Sequence, residues 1–220
     1  MFSLFVKDVS NRGKFFMTEK DYLYYGAYAP VLKETEKWIM ERLEKMLSSF
    51  STEETHSMAE HVLSRIKTAE SMQEKLKRKG FENTDVKTAL VNTSDCIGVR
   101  VVTHFIGDVY TIYDRIKEED CWNIVKVKDY ISNPKENGYR SLHVIIEVPV
   151  NEMGLETIRA ELQLRTIAMD CWASLEHQMK YKKDIKNADL LVEELHRCAD
   201  EMASTDLSMQ TIREMIQEKV

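Results

Sequence analysis

Two acidic residues stand where this sequence predicts strands of a sheet. Asp95 lies two residues before the start of the β-branched run "IGVRVVTHF", and Glu161 lies within the alternating segment 156–166. Mg²⁺ takes one or two protein carboxylates and fills its other positions with water and substrate phosphates. If these two strands are neighbours, Asp95 and Glu161 would form a magnesium site. An aspartate at the start of a strand can also simply end a loop, and the sequence leaves that interpretation open.

The segment 156–166 alternates between apolar and polar residues, as a strand with two different faces does. The apolar face would carry Ile158, Ala160, Leu162 and Leu164, and the polar face would carry Arg159, Glu161, Gln163 and Arg165. This polar face is either the solvated side of an antiparallel sheet or the polar floor of a cleft.

Basic residues are concentrated between positions 65 and 79, although the whole chain carries a net charge of −6. Lysine and arginine near a helix C-terminus are favoured by the helix dipole, which accounts for the run 77–79. It does not account for Arg65 and Lys67, which lie among apolar residues. These two and Lys75 are therefore candidates for binding an anion.

The stretch "KDYISNPKENGYRSLH", residues 128–143, has more functional side chains than a connection between strands requires. Lysine binds phosphate as a point charge, whereas arginine can also stack on a base. Tyr139 can stack on a base, Asn137 can hydrogen-bond its edge, and Gly138 allows a close approach of the backbone. With the two acids and the basic segment, this loop predicts a Mg²⁺–nucleotide enzyme.

Other nucleotide and metal motifs are absent from the sequence. It contains neither G-x-x-x-x-G-K-[ST] nor G-x-G-x-x-G, and no H-E-x-x-H. One alternative is a nucleotidyltransferase, but the Gly-Ser dipeptide and D-x-D pair typical of that class are also absent. A second alternative is a non-catalytic RNA- or nucleotide-binding regulator. The presence of both Asp95 and Glu161 argues against it, because a binder needs no metal acids.

Composition limits the remaining possibilities. The chain has 220 residues, of which 43% are hydrophobic, enough for one substantial core. Its negative net charge excludes a globally basic surface for nucleic acid. The four cysteines are scattered, which is typical of reduced thiols, so we expect a cytoplasmic protein. No apolar run is long enough to span a membrane, so no membrane partner is expected.

Periodicity predicts an α+β fold, with a central mixed β-sheet flanked by helices, in one domain. The predicted strands are 61–67, 97–105, 122–130, 140–150 and 156–166, of which the first could also be the end of a helix. The predicted helices are 31–50, 69–80, 108–119, 167–183 and 189–218, with a further helix start at Ser51. We expect residues 1–220 to form a single domain, with a core at about 60–183 and helical extensions at 18–58 and 185–220.

Four blocks of this sequence resemble the RelA/SpoT synthetase domain. They are "SRIKTAESMQEKL", "DCIGVRVV", "KDYISNPKENGYRSLH" and "ELQLRTIAMDCWASLEHQMKYK", and the match runs from about Arg65 to Lys182. The short chain resembles the single-domain small alarmone synthetases. The resemblance implies a nucleotidyltransferase-like fold and a Mg²⁺-dependent transfer of the β,γ-pyrophosphate of ATP to the 3′-hydroxyl of GDP or GTP. The products would be ppGpp or pppGpp and AMP.

The resemblance also implies roles for individual residues. The catalytic and metal-binding acids would be Asp95 and Glu161. The ATP-binding residues would be Arg65, which stacks on adenine, with Lys67, Lys75 and Arg100. The acceptor-binding residues would be Lys128, Lys135, Asn137, Tyr139, His143 and Gln163, with Tyr139 stacking on guanine. Arg165 and His177 would support them. Whether Glu161 is a general base or only a metal ligand, and which guanine nucleotide is preferred, stay open.

Further expectations concern partners and the reverse reaction. The resemblance implies a homotetramer formed through the terminal helices, although the stripe Leu191, Leu195, Cys198 and Met202 could instead pack internally. Single-stranded RNA or (p)ppGpp could act as an allosteric ligand, as in some family members. The sequence contains no His-Asp dipeptide, which the family's hydrolase carries, so we expect no hydrolase activity of that kind.

Overall fold

The centre of the structure is a five-stranded sheet. In this computed structural model, residues 17–50, 57–180 and 188–218 are described. The strands are β1 (Ala59–Ile66), β2 (Ile97–Thr103), β3 (Asn123–Asp129), β4 (Leu142–Glu152) and β5 (Leu155–Thr166). Their order is β1-β2-β5-β4-β3, with β2 and β5 parallel and the other neighbours antiparallel. The predicted mixed sheet is confirmed.

Helices precede, interrupt and follow the sheet. They are α1 (Glu19–Tyr25), α2 (Tyr28–Ser48), α3 (Ala69–Arg78), α4 (Val86–Asn92), α5 (Ile106–Glu118), α6 (Ile167–Lys180) and α7 (Ala188–Gln217). The predicted α+β class is therefore confirmed, whereas the division into a core and two extensions stays a prediction. Among the described helices, none combines the length and the apolar character that crossing a membrane requires.

The central strand β5 separates an apolar face from a polar face. Its residues Ile158, Ala160, Leu162 and Leu164 are at most 1% exposed. They belong to one buried cluster with the inner faces of α2 and α5. On the opposite face, Glu161 and Gln163 line a pocket. The polar residues therefore form the floor of a cleft, which was one of the two interpretations of the alternating pattern.

The sequence analysis did not delimit two short helices, α1 and α4, although α1 lies within the predicted helical extension 18–58. Each has seven residues, so neither is long enough to show an apolar periodicity. Their starts are nevertheless encoded locally. Thr18 forms a capping box with Asp21 before α1, and Asp85 accepts a hydrogen bond from the backbone N–H of Thr88 in α4. The helix start predicted at Ser51 lies outside the described residues.

Most strand boundaries differ by one or two residues from the prediction, as β2 and β4 illustrate. β2 ends at Thr103 rather than at residue 105, because Phe105 is already the N-cap residue of α5. β4 begins at Leu142 rather than at residue 140 and continues to Glu152. Its end pairs with the start of β5, so the two strands form a hairpin.

The long helix α7 packs along α5 and α6. The Trp172 indole N–H donates to the Leu195 carbonyl (2.8 Å), and the Thr166 hydroxyl donates to Asp206 Oδ2 (2.5 Å). The predicted stripe Leu191, Leu195, Cys198 and Met202 is half-buried. In the C-terminal half of the helix, Leu207, Ile212, Met215 and Ile216 are each about half exposed or more. The helix thus packs against α5 and α6 and still exposes apolar side chains.

Candidate active site

Strand register collects the predicted residues on the polar face of the sheet. Parallel pairing of β2 with β5 places Gly98 beside Glu161 and Arg100 beside Gln163. Arg65 of β1 lies opposite Gly98. Paired residues of neighbouring strands share a face. The same row continues to the other edge of the sheet, where His143 pairs with Gln163 and Lys128 pairs with His143.

A pocket opens on this face above β1, β2 and β5. Its polar lining consists of Ser64, Arg65, Lys67, Asp95, Arg100, Glu161 and Gln163. Within the described chain, Arg100 Nε has no hydrogen-bond partner and is shielded from solvent. Burial and then the neighbouring Arg165 guanidinium lower the pKa of Arg100. The pocket therefore combines two acids with several donors suited to an anion.

Asp95 is held between two ammonium groups. Lys67 Nζ donates to Oδ2 (2.6 Å), and Lys75 Nζ lies 2.5 Å from Oδ1. Both oxygens of the carboxylate therefore contact an ammonium group. Burial by itself raises the pKa of Asp95, but Lys67 and Lys75 outweigh it and lower the pKa below its usual value. Asp95 is thus an ionised carboxylate that is paired with two lysines.

Glu161 is the second acid of the pocket. Its Oε2 accepts from Gln163 Nε2 (2.8 Å), and its Oε1 lies 3.2 Å from His143 Nδ1. Burial raises the pKa of Glu161, but these two partners outweigh it, so that the pKa is lowered. Asp95 has a smaller opposing effect, which shows that the two carboxylates are close enough to interact.

This donor set fits Mg²⁺. The described residues contain no cluster of three or more histidine, cysteine or acidic side chains of the kind that encloses a transition metal. Magnesium instead needs only one or two carboxylates, because substrate phosphates and water complete its octahedron. The two ionised carboxylates, Asp95 and Glu161, satisfy that requirement.

A closed ring of hydrogen bonds fixes Glu161. Arg165 Nη2 donates to the Tyr139 hydroxyl (2.5 Å) and to Gln163 Oε1 (2.8 Å), while the Tyr139 hydroxyl lies 2.8 Å from His143 Nε2. Arginine can only donate, so the Tyr139 oxygen accepts from Arg165. The ring thereby links the loop residue Tyr139 to Glu161.

Asp170, in the first turn of α6, anchors this ring from below. Its Oδ1 lies 3.2 Å from Arg165 Nη1 and 3.1 Å from Arg100 Nη1. Asp170 therefore holds the guanidinium groups of Arg100, which lines the pocket, and of Arg165, which belongs to the ring. The sequence analysis missed this residue, because its partners belong to β5 and β2 and no local motif marks it.

Tyr25 and Asp21, both from α1, were missed for the same reason. The Tyr25 hydroxyl, fully buried, donates to the Lys67 carbonyl (2.6 Å). Asp21 Oδ1 accepts from the backbone N–H of Ala69 (2.7 Å), at the start of α3. These contacts fix the turn that carries Lys67 towards Asp95. They span more than 40 residues of sequence, so no local pattern predicts them.

The loop between β3 and β4, residues 130–141, is called the acceptor loop below. Its Lys135 ammonium lies 4.5 Å from the centroid of the Tyr139 ring and 4.6 Å from that of Tyr130. Both rings are electron-rich on their faces, which attracts such a cation. The hydroxyl of Tyr139 points inward to His143 and Arg165, so one residue joins the loop to the sheet.

Three predicted residues have surroundings that the sequence did not reveal. Asn137 Nδ2 donates to Glu176 of α6 (3.1 Å), and its Oδ1 accepts from the Tyr139 backbone N–H (3.3 Å). Gly138 has φ of +85°, and its close neighbour is Ala199 of α7. The sequence interpretation had assigned that close approach to a nucleotide. His177 lies on the exposed side of α6.

Comparisons with known proteins agree with this arrangement. The family described as "Region found in RelA / SpoT proteins" matches residues 64–186. The GTP pyrophosphokinase YwaC of Bacillus subtilis strain 168 is 44% identical over 169 residues, which cover 74% of this chain and 80% of that protein. The family match includes β2 to β5, the end of β1 and the loop between β3 and β4.

Solved structures give the same result. Small alarmone synthetase 2 of Bacillus subtilis superposes with a TM-score of 0.68 at 42% identity, covering 82% of this chain and 96% of that one. Small alarmone synthetase 1 of Bacillus subtilis, bound to its product pppGpp, superposes with a TM-score of 0.79 at 26% identity. That match covers 90% of this chain and 100% of the other.

Proposed function

This chain belongs to the RelA/SpoT family, and on that premise we propose that it is a (p)ppGpp synthetase. It transfers the β,γ-pyrophosphate of ATP to the 3′-hydroxyl of GDP or GTP and releases AMP. The observation that carries the proposal is one pocket that holds both acids, Asp95 and Glu161, among Arg65, Lys67 and Arg100. Similarity to a synthetase solved with pppGpp supports the same reaction.

The donor ATP binds over β1 and β2. Arg65 lies opposite Gly98, which has no side chain to fill the floor of the pocket, so a flat base can stack on the guanidinium. Lys67 and Lys75 neutralise the phosphates as point charges. Both pair with Asp95 in the structure, so they lie within reach of a metal–phosphate group at that carboxylate.

Asp95 and Glu161 hold Mg²⁺ in this proposal. The ion would offset the charge that spreads over the transferring group, which is the main requirement of phosphoryl transfer. The protein contributes orientation. Gln163 and His143 fix both oxygens of Glu161, and Lys67 fixes Asp95 Oδ2. Because its pKa is lowered, Glu161 is a weak base, and we assign it metal binding before proton abstraction.

The acceptor binds between the acceptor loop and β4. The Tyr139 ring provides the stacking surface for guanine, and the exposed Lys135 ammonium beside it provides a donor for phosphate. His143 and Lys128 continue the polar row towards the edge of the sheet. This arrangement brings the 3′-hydroxyl of the acceptor towards Glu161, since Tyr139 and Glu161 share the same hydrogen-bonded ring.

The direct test incubates the pure protein with Mg²⁺ and ATP and with GMP, GDP or GTP in turn. We expect ppGpp from GDP and pppGpp from GTP after separation by anion exchange, and the relative rates give the preferred acceptor. Absence of any phosphorylated guanosine product, with ATP and GDP both bound, would support a nucleotide-binding regulator instead.

We also predict that this chain does not degrade its product by the family's usual hydrolase route. Incubation with ppGpp and Mn²⁺ should leave the nucleotide unchanged over a time in which synthesis goes to completion. Release of pyrophosphate from ppGpp would show a second active site. A sample that still synthesises ppGpp afterwards serves as the control for intact protein.

The homotetramer is supported by the C-terminal half of α7, where Leu207, Ile212 and Ile216 are exposed. Such apolar surfaces mark contact sites between proteins. Sedimentation of the chain should give four times the monomer mass, and Ile216→Asp should shift it to smaller species. A wild-type monomer would contradict this assignment.

The four free thiols support a cytoplasmic location. RNA and (p)ppGpp as allosteric ligands stay predictions.

A further inference from the structure

The acceptor loop contacts the C-terminal helix α7 at Gly138, where the loop has no room for a side chain. A Cβ placed on Gly138 would lie 2.5 Å from Ala199 Cβ and 3.5 Å from His196 Cα. Real Cβ atoms do not approach so closely, and the φ of +85° at Gly138 also favours glycine. Ala199 is 4% exposed. The two smallest side-chain types thus let the loop backbone lie directly on α7.

Arg140 closes this contact on the solvent side. Its Nη1 donates to the carbonyls of Gly138 (3.1 Å) and Ala199 (3.4 Å), and its Nη2 donates to Asp200 Oδ1 (3.1 Å). One guanidinium therefore bridges the loop backbone, the helix backbone and a helix carboxylate. The planar array of donors makes arginine suited to such a bridge.

A third contact attaches the other side of the loop to α6. Asn137 Nδ2 donates to Glu176 Oε1 (3.1 Å), and Glu176 is 9% exposed. Helix α6 is in turn fixed to α7 by the Trp172–Leu195 hydrogen bond (2.8 Å). Residues 137, 138 and 140 are therefore all held by the pair of C-terminal helices, and Tyr139 lies between them.

We infer that α7 positions the acceptor loop, and that Ala199 sets the distance between the loop and the helix. Ala199 is a positioning residue, since its contact is with Gly138 and not with the pocket. This inference rests on the proposed function, because it assigns the loop to the acceptor nucleotide. Helix α7, which lies outside the sheet, would then determine the affinity for the acceptor. The affinity for ATP would instead depend on α1, β1 and α3.

The test compares Ala199→Val with the wild type. The added methyl groups would force the loop away from α7 and move the Tyr139 ring. Small misplacements at a site cost up to about a hundredfold, so we expect the KM for GDP to rise roughly tenfold or more. The KM for ATP should change by less than about twofold, because Arg65 and Lys67 lie on other elements.

Two further variants separate positioning from stability. Ala199→Gly lowers helix propensity but leaves room for the loop, so its melting temperature should fall while the KM for GDP stays unchanged. Ser204→Val places the same β-branched side chain at an exposed position of α7 and should leave both KM values unchanged. GDP affinity, measured by calorimetry without ATP, should be lowered in Ala199→Val and unchanged in Ala199→Gly and Ser204→Val.

The inference is overturned if Ala199→Val raises both KM values equally, or if it leaves GDP affinity unchanged. Failure of the proposed function is a separate result. If the wild type makes no alarmone from ATP and GDP, the reaction assignment fails, and the calorimetric comparison of GDP affinity still decides whether α7 positions the loop.

Discussion

Replacement of Glu161 by glutamine is expected to lower turnover by on the order of a thousandfold or more. The change removes one negative charge from the pair of acids that would hold Mg²⁺. It also presents an amide in place of an oxygen that accepts from Gln163 or His143. Loss of a metal ligand at a phosphoryl-transfer site removes on the order of several kcal/mol of transition-state stabilisation.

The fold should survive this substitution. Glutamine has nearly the same size as glutamate, and the neighbouring strands are held by their own buried residues. Glu156→Gln is the matched control, since it lies on the same strand but is exposed. Steady-state turnover and melting temperature should be measured for both. More than about a tenth of wild-type activity in Glu161→Gln with a normal melting curve would contradict the metal role.

Replacement of Tyr139 by alanine is expected to weaken binding of the acceptor nucleotide by about five- to two-hundredfold, while binding of ATP is affected much less. Stacking of a base on an aromatic ring is worth roughly 1–3 kcal/mol in nucleic-acid sites. A difference of about 1.4 kcal/mol in binding free energy corresponds to a tenfold change in affinity. Arg65→Ala should show the converse pattern, since Arg65 lies at the other side of the pocket on β1. The measurements are the KM values for GDP and ATP.

The phenylalanine variant divides the role of Tyr139 into two parts. From the sequence alone, Tyr139→Phe should lose little, because stacking needs only the ring. The structure shows that the hydroxyl joins His143 to Arg165 in the ring that orients Glu161. Leaving such buried groups without a partner costs roughly 1–3 kcal/mol. We therefore expect the KM for GDP to stay near the wild-type value and kcat to fall by about tenfold.

Equal losses for GDP and ATP in Tyr139→Ala, together with a lower melting temperature, would show that the residue only packs the loop. An unchanged kcat in Tyr139→Phe would show that the hydroxyl ring does not act on Glu161. Because one variant reports on binding and the other on turnover, the two results are independent. Together they test whether the acceptor loop and the metal acids work as one unit.

The parts of the site that could be predicted are those written in a local pattern. Alternation along 156–166 placed Glu161 and Gln163 on a polar face, and the structure has them there. The run after Asp95 predicted β2, and the β-branched residues of that strand are buried. A period of two residues is enough for this, because it depends only on the strand itself.

Other parts depend on contacts that no local pattern encodes. Asp170 and Tyr25 act on residues from different strands and helices, and their roles appear only when the chain is folded. Gly138 shows the same limit in another way. The sequence indicated that the backbone at Gly138 is approached closely by another group. That group is Ala199, which lies about sixty positions further along the chain.

Position-specific labelling of ATP tests the proposed reaction most directly. Protein, Mg²⁺ and GDP are incubated with ATP labelled in its γ-phosphate, and the products are separated and counted. Pyrophosphate transfer predicts that the label appears in ppGpp and that AMP forms in equal amount. Release of labelled pyrophosphate with AMP joined to the acceptor, or formation of ADP with a single phosphate transferred, would contradict the account.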